Sequence, residues 1–497
     1  MNDNYDLIII GSGPSGLSLA QCLRNTYKKI LIIEKLDIIG GCHKVVRDKD
    51  TNLFTEHGPR IYSDSYKNFQ MLLRDMNQDF FNLFVPYNFS ISEIGGQTVF
   101  TTLKFTELLK LSWQFFLLIL DNNHGKDRSL KEFMNYHNFN EKSVDMIDRI
   151  ARLTDGAGAD RYTLNEFLQI FNQQFFHKLY QPNKPNDEGF LKTWREFLEN
   201  DGITFKLNTE ITKLNLENNK IKSVSTDNDE IYAKNFVLAM PPESFIKILG
   251  NSDDLIKNSF MNFEKLDKFS QATEYNEYIC ITFHWYEKII LPKIYGFPRS
   301  EWGIAFIVLS DYMDLSADKS KTLISCAITI PNSVSSRINK TANEINYSNK
   351  DELINETLLQ LKEAFPQLPN PDKSILYSGN YYNDTEKKWG SKYDEAFIST
   401  SNKGFLPFSG KIDNLYNLGT HNGKQKYKFT SLESAVTNGI YLSHILNKEL
   451  EKKYPIQDIF SLRDMILIII YTILLIICIF VFCNLYIKNN CNNKNGK

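Results

Sequence analysis

The 497-residue chain has no paired-cysteine pattern: Cys22, Cys42, Cys280, Cys326, Cys478, Cys483 and Cys491 are scattered, with no CxxC pair and no zinc-like spacing. That argues for a reducing compartment and against a disulfide framework, and no metal site is expected. An excess of one charge sign is missing too. With 57 Lys+Arg against 59 Asp+Glu the formal charge is -2, so nucleic acid is not an expected partner. No basic and then apolar leader precedes the first strand, so neither secretion nor organelle import is expected. Hydrophobic residues at 42% and charged ones at 23% exclude a largely disordered chain. The length exceeds what one hydrophobic core supports, so two or three units are expected.

Three glycines stand where a strand gives way to a helix. Residues 6–10 (DLIII) form a buried-strand run, Gly11-Ser12-Gly13-Pro14-Ser15-Gly16 follows, and a helical pattern over 17–24 leads to a second strand, 30–33, that ends in Glu34. Each part serves a dinucleotide-binding βαβ unit: Gly11 makes the tight turn, Gly13 lets backbone approach a pyrophosphate, and Gly16 lets the helix pack on the strand. The phosphates then sit on the helix N-terminus, whose free N–H groups and positive dipole end favour anions. Glu34 is placed to accept hydrogen bonds from a ribose. These features alone do not separate NAD from FAD.

With Gly40-Gly41 shortly after Glu34, the N-terminal segment resembles the start of the FAD-dependent amine oxidase superfamily, which also includes phytoene desaturases and protoporphyrinogen oxidases. Glu56-His57-Gly58-Pro59-Arg60 is similar to a stretch that lies close to the flavin in protoporphyrinogen oxidases. Residues 211–214 (ITKL), a second strand through Ser223, and 236–242 (FVLAMPP) resemble the family's hairpin and returning strand. Residues 415–419 (LYNLG) and 430–436 (TSLESAV) are similar to its C-terminal FAD motif. The resemblance implies non-covalent FAD, held by Gly11, Gly13, Pro14, Ser15, Gly16, Glu34, Gly40 and Gly41. Further along, it implies Gly58, Pro59, Arg60, Ile211, Gly419, Ser431 and Leu432. Thr430 and Glu433 read as a capping box at a helix start, and in the family that helix end faces the flavin.

Departures from the family pattern matter as much. Cys42 replaces the usual Arg after the glycine pair, and Thr420 replaces the acid that often follows the late glycine. No Cys lies between Cys326 and Cys478, so a cysteinyl-flavin is not expected. Many members carry a Lys on a substrate-domain strand, where 278–285 offers Tyr278 and His284. No catalytic acid–base group is singled out. Tyr381, Tyr382 and Trp389 are substrate-side candidates, and 389–397 (WGSKYDEAF) resembles the Trp and Tyr region of monoamine oxidases.

The expected architecture is α/β: a discontinuous Rossmann-type FAD-binding domain (1–85, 190–245 and 400–455) with an inserted α+β substrate domain (86–189 and 246–399). A linker, 456–464, leads to a transmembrane helix over 465–487, with a short polar tail, 488–497. The span is charge-free and about 34 Å long as a helix, enough to cross a bilayer. Its nearness to the C-terminus predicts a single-pass anchor with the catalytic part facing the cytosol. The apolar stretch 105–120 is expected to pack in the substrate-domain core, with a hydrophobic entrance near the membrane as the alternative.

The function expected is a membrane-anchored flavoenzyme passing a hydride from an amine or lipid-like substrate to flavin N5, with O2 or a quinone as electron acceptor. An isoprenoid or porphyrinogen desaturase-like flavoenzyme and a non-catalytic FAD-binding membrane scaffold are the alternatives.

Overall fold

The structure, a computed structural model, describes residues 5–87, 99–155, 158–272, 278–293, 296, 299–316, 318–392, 405–426 and 430–494. Strands β1 (Tyr5–Ile10) and β2 (Ile30–Ile33) are apolar runs buried on both faces, as central parallel strands covered by helices must be. They pair in parallel, and the sheet continues from β2 to Thr204–Lys206 and from β1 to Glu230–Leu238 and Leu415–Asn417. The first residues of Glu230–Leu238 pair instead with Lys220–Ser225, the inner strand of an antiparallel hairpin completed by Lys213–Glu217.

Register decides where a site can form. Ile10 lies opposite both Ile33 and Leu238, and Leu238 lies opposite Asn417. Gly11, Glu34, Ala239 and Gly419 therefore emerge together at the carboxyl ends of parallel strands, the edge where open α/β sheets bind ligands.

Helix α1 (Pro14–Leu23) has all ten residues buried, sandwiched between the sheet and the late helix Leu432–Leu446. A Cβ on Gly439 of that helix would fall 2.1 Å from Ser18 Oγ and 2.8 Å from the Ser15 carbonyl. Glycine there lets two helix backbones touch, which locks the C-terminal motif against the N-terminal one.

A second, four-stranded antiparallel sheet runs Ile304–Val308, Thr322–Ile328, Ile279–Trp285, Lys373–Leu376. Its alternating side chains serve two cores. Ile281, Phe283, Ile304 and Phe306 meet helix Lys350–Ala364, while Cys280, Ala305, Ile307 and Ala327 turn the other way towards Val45 and Phe54. Helices Phe105–Leu120, Leu130–Tyr136, Glu141–Asp155 and Leu164–Gln174 enclose a separate core with Leu118, Phe133, Ile147, Tyr162 and Phe167.

Three expectations change here. Phe105–Leu120 joins the helical core on one face only: Leu118 is buried in it with Leu108, Leu111 and Phe115 packed against it, whereas Phe105, Leu109, Trp113, Phe116 and Leu120 on the other face are exposed. The segment expected as a linker is fastened in place: Gln457 N donates to Asn68 Oδ1 (2.8 Å), and Ile456 and Ile459 pack on the main core. The C-terminal helix runs Leu462–Lys494, beginning within the expected linker and continuing through most of the expected tail. Its 462–484 portion holds an 18-residue window of mean hydropathy 3.3, none of it buried, so it is long and apolar enough to cross a membrane.

Candidate functional site

The carboxyl edge of the main sheet opens into a cavity of ≈ 810 Å³, within the range of small-molecule and cofactor sites. Its first wall is the glycine turn. Gly11 sits at φ +110°, and a Cβ there would fall 2.2 Å from the Ala239 carbonyl, so the fold itself demands glycine. At Gly13 a Cβ would meet nothing nearer than Gly41 Cα at 3.8 Å. The fold would tolerate a side chain at Gly13, but that side chain would enter the cavity. Gly13 also caps α1 without any side-chain partner, with Pro14 at the first helical position, so the N–H groups of the first turn remain for a ligand.

Glu34 has a structural task alongside its place in the wall. Its Oε2 accepts from Ser12 N (3.0 Å) and Ser12 Oγ (2.7 Å), which fastens the glycine loop to the end of β2. Thr209 N donates to the Glu34 carbonyl (2.9 Å), holding the 209–212 loop and Ile211 over the same corner.

The next wall carries charge. Arg60 donates to Glu56 Oε2 (2.7 Å) and the Lys44 carbonyl (3.3 Å), and its Nη2 lies 2.7 Å from His57 Nδ1. Burial raises the Glu56 carboxyl despite Arg60, and burial with Arg60, His57 and Lys44 nearby holds His43 well below the usual imidazole range. Among the described residues, five formal cations line the cavity, Lys35, Lys44, Arg60, Lys247 and Lys392, against two carboxylates, Glu34 and Glu210. A site with that balance suits an anionic ligand.

The far wall comes from the late helix and its neighbour. Here the expected capping box moves by one residue. Ser431 is the N-cap, its Oγ accepting from Ser434 N (3.1 Å), while Thr430 lines the cavity beside it. Glu433 faces away from its own helix start and caps another, α2 (Lys67–Asp75), whose N-cap Tyr66 makes no side-chain cap bond. Its two oxygens accept from Asn68 N (2.8 Å), Asn68 Nδ2 (2.8 Å) and Phe69 N (3.0 Å). Complete burial outweighs these donors and pushes the carboxyl up to about 7. Nearby His421, buried against Gly419, is lowered to about 3 by the same loss of solvent.

Of the cofactor residues expected from sequence, Gly11, Gly13, Pro14, Ser15, Glu34, Gly41, Gly58, Pro59, Arg60, Ile211, Gly419, Ser431 and Leu432 line this one cavity. Gly16 and Gly40 stand behind the wall, where a Cβ would fall 2.3 Å from the Gly11 carbonyl and 2.4 Å from Leu191 Cδ1 respectively.

The substrate-side candidates lie elsewhere. Tyr381, Tyr382 and Trp389 sit on the hairpin Asn380–Asn383/Lys388–Ser391, and none of them lines the cavity. Trp389 is a core residue whose Nε1 donates to the carbonyls of Ala342 and Ile345, and the Tyr382 hydroxyl donates to the Asn343 carbonyl. The rest of the 389–397 stretch, from 393 onward, falls outside the described residues. Tyr278 does line the cavity, its ring edge facing Gly58, whereas His284 is buried away from it between Ser320 Oγ and the Phe54 carbonyl. Sequence reasoning had placed neither Lys44 nor the apolar residues Leu153, Ile170, Leu179 and Ala305 at the site. They reach it from five separate segments.

Comparison with known proteins agrees with this geometry. Residues 9–76 match the model of the NAD(P)-binding Rossmann-like domain. Putrescine oxidase superposes with a TM-score of 0.61 at 14% identity, covering 89% of this chain and 99% of that one. Cyclohexylamine oxidase from Brevibacterium oxydans gives 0.60 at 13%, covering 90% and 100%. The chain has the fold of these two oxidases. Within this amine oxidase fold, a short stretch is also similar to UDP-galactopyranose mutase from Mycoplasma genitalium, 44% identical over 61 residues. That stretch spans 12% of this chain and 15% of the mutase.

Proposed function

We propose that the chain is a membrane-anchored, FAD-dependent oxidoreductase that takes a hydride from an amine or lipid-like substrate. In this reading 1–85, 190–245 and 400–455 hold the cofactor, and 86–189 with 246–399 shape the substrate chamber. The observation that carries it is the continuity of one cavity from the Gly13 turn to Tyr278, joining the dinucleotide edge of the sheet to residues of both inserted regions.

The residues present fit FAD. Gly13 leaves space that the fold does not need, the α1 N-terminus offers unpaired donors, and Lys35, Lys44 and Lys247 oppose a diphosphate's charge. Bound FAD supplies a hydride acceptor at N5. The start of Leu432–Leu446, with Leu432 and Ala435 on the cavity, adds a positive dipole end that favours electron uptake nearby. Tyr278, whose hydroxyl donates to the Arg152 carbonyl, supplies a fixed aromatic wall beside Gly58.

The desaturase-like reading has an observation of its own. Beyond the cofactor edge the lining combines apolar Ile61, Leu153, Ile170, Leu179 and Ala305 with His57, Arg60, His177 and Lys392. Such a surface accepts an apolar or anionic molecule more readily than an ammonium ion. We therefore favour an isoprenoid or porphyrinogen-like substrate over a simple amine. The electron acceptor is O2 or a quinone, and the C-terminal helix holds the domain on the cytosolic side of its membrane. The mutase match spans too little of either chain to bring that activity with it.

The test is anaerobic titration of the purified full-length chain in nanodiscs, read by flavin absorbance. Bleaching by isoprenoids or porphyrinogens is the expected result, and bleaching by amines alone would select an amine oxidase. A yellow protein that no substrate reduces would favour a scaffold, and a colourless one would overturn the reading.

A further inference from the structure

Helix Phe105–Leu120 turns an uncharged apolar stripe outward. Phe105, Leu109, Trp113, Phe116 and Leu120 follow one another at three- or four-residue steps and are 45% to 74% exposed. Its two charged residues point elsewhere: Glu107 is buried and accepts from Asn140 N (2.7 Å) and Ser143 Oγ (2.8 Å), and Lys110 donates to the His137 carbonyl. Exposed Phe175, Phe176 and Phe460 extend apolar surface towards the start of the C-terminal helix, with the Phe176 and Phe460 rings 5.6 Å apart. A row of five large exposed apolar side chains on one helix face is the mark of an interaction site.

Its continuity with the C-terminal helix identifies the occupant. Arg463, in the first turn of that helix, donates through Nε to the Ile119 carbonyl (2.9 Å) and through its backbone N to Asn172 Oδ1 (2.8 Å). Two hydrogen bonds thus fasten the apolar helix to the stripe-bearing helix and to Leu164–Gln174. The latter also lines the cavity with Ile170 and Gln174.

Resting on the membrane-anchor reading above, we propose that the outer face of Phe105–Leu120 lies in the headgroup–acyl boundary of the same bilayer that the C-terminal helix crosses. The anchor and the platform then form one membrane-bound surface. Leu164–Gln174 meets the base of the anchor through Asn172 and lines the cavity with Ile170 and Gln174, which favours a substrate drawn from the lipid phase.

Trp113 reads this directly, because it is 57% exposed while Trp194, Trp285, Trp302 and Trp389 are each at most 2% exposed. The full-length chain is placed in phosphatidylcholine nanodiscs with or without brominated acyl chains, alongside Trp113→Phe. Brominated lipid is expected to remove most of the fluorescence that Trp113→Phe removes, and to leave Trp113→Phe itself unquenched. Equal emission in both lipids, or undiminished quenching of Trp113 by aqueous acrylamide, would overturn the proposal in favour of a solvent- or protein-facing stripe. A chain that stays out of the nanodiscs would overturn the anchor reading and this one together. Loss of flavin colour with Trp113 quenching intact would sink the redox reading while supporting this one.

Discussion

At the scale of single residues, the glycine motif divides into positions the fold needs and a position the fold leaves open to the cavity. Gly11, with positive φ and the Ala239 carbonyl in the way of any Cβ, belongs to the first kind. Gly13, with open space before it, belongs to the second. Gly11→Ala is therefore expected to lose about 1–3 kcal/mol of folding stability. Gly13→Leu is expected to melt close to the parent apoprotein but to purify without flavin. Thermal denaturation and flavin absorbance on both variants check this, and normal flavin loading in Gly13→Leu would refute the placement of the phosphate turn. The motif was legible because each of its residue types has a local physical reason. Tyr381, Tyr382 and Trp389 were misleading because aromatic residues are common in this chain and serve cores as readily as ligands.

At the scale of elements, Glu433 ties the late helix to the start of α2, 365 positions away in sequence. Its carboxyl, about 7 when folded against an ordinary 4.5, holds a proton between those values that the unfolded chain would release. Stability from this group is therefore greatest below about pH 4.5 and falls as pH rises to about 7, by up to about 3 kcal/mol. Urea denaturation across that window is expected to show the slope in the parent chain and to lose it in Glu433→Gln. That substitution also weakens one cap bond, at a cost of about 1 kcal/mol. The Thr430–Glu433 spacing is a genuine capping signal. It misassigned the cap because spacing reports what a carboxylate can reach along its own helix, not that another uncapped helix end lies closer.

At the scale of the whole molecule, the C-terminal helix is an appendage whose base is built into the fold. Removal of 465–497 leaves Arg463 with its bonds to Ile119 and Asn172, and leaves Tyr454 donating to Asp75 Oδ2 (3.0 Å) beside α1. The truncated chain is expected to keep its flavin and its melting temperature while binding vesicles far more weakly than the full chain. Flotation with co-measured flavin absorbance checks both, and loss of flavin would mean that the apolar helix supports the core.

Local chemistry in the sequence settled the dinucleotide turn, the strand runs at 6–10 and 30–33 and the long apolar segment, since each depends on contacts within a few residues or on length against a bilayer. Tertiary structure alone decided that Gly11, Glu34, Ala239 and Gly419 share one sheet edge, that Tyr278 rather than His284 faces the cavity, and that Phe105–Leu120 leaves one apolar face outside the core. Those outcomes depend on strand register and on which helix face finds a partner, and both are set by surfaces hundreds of residues apart.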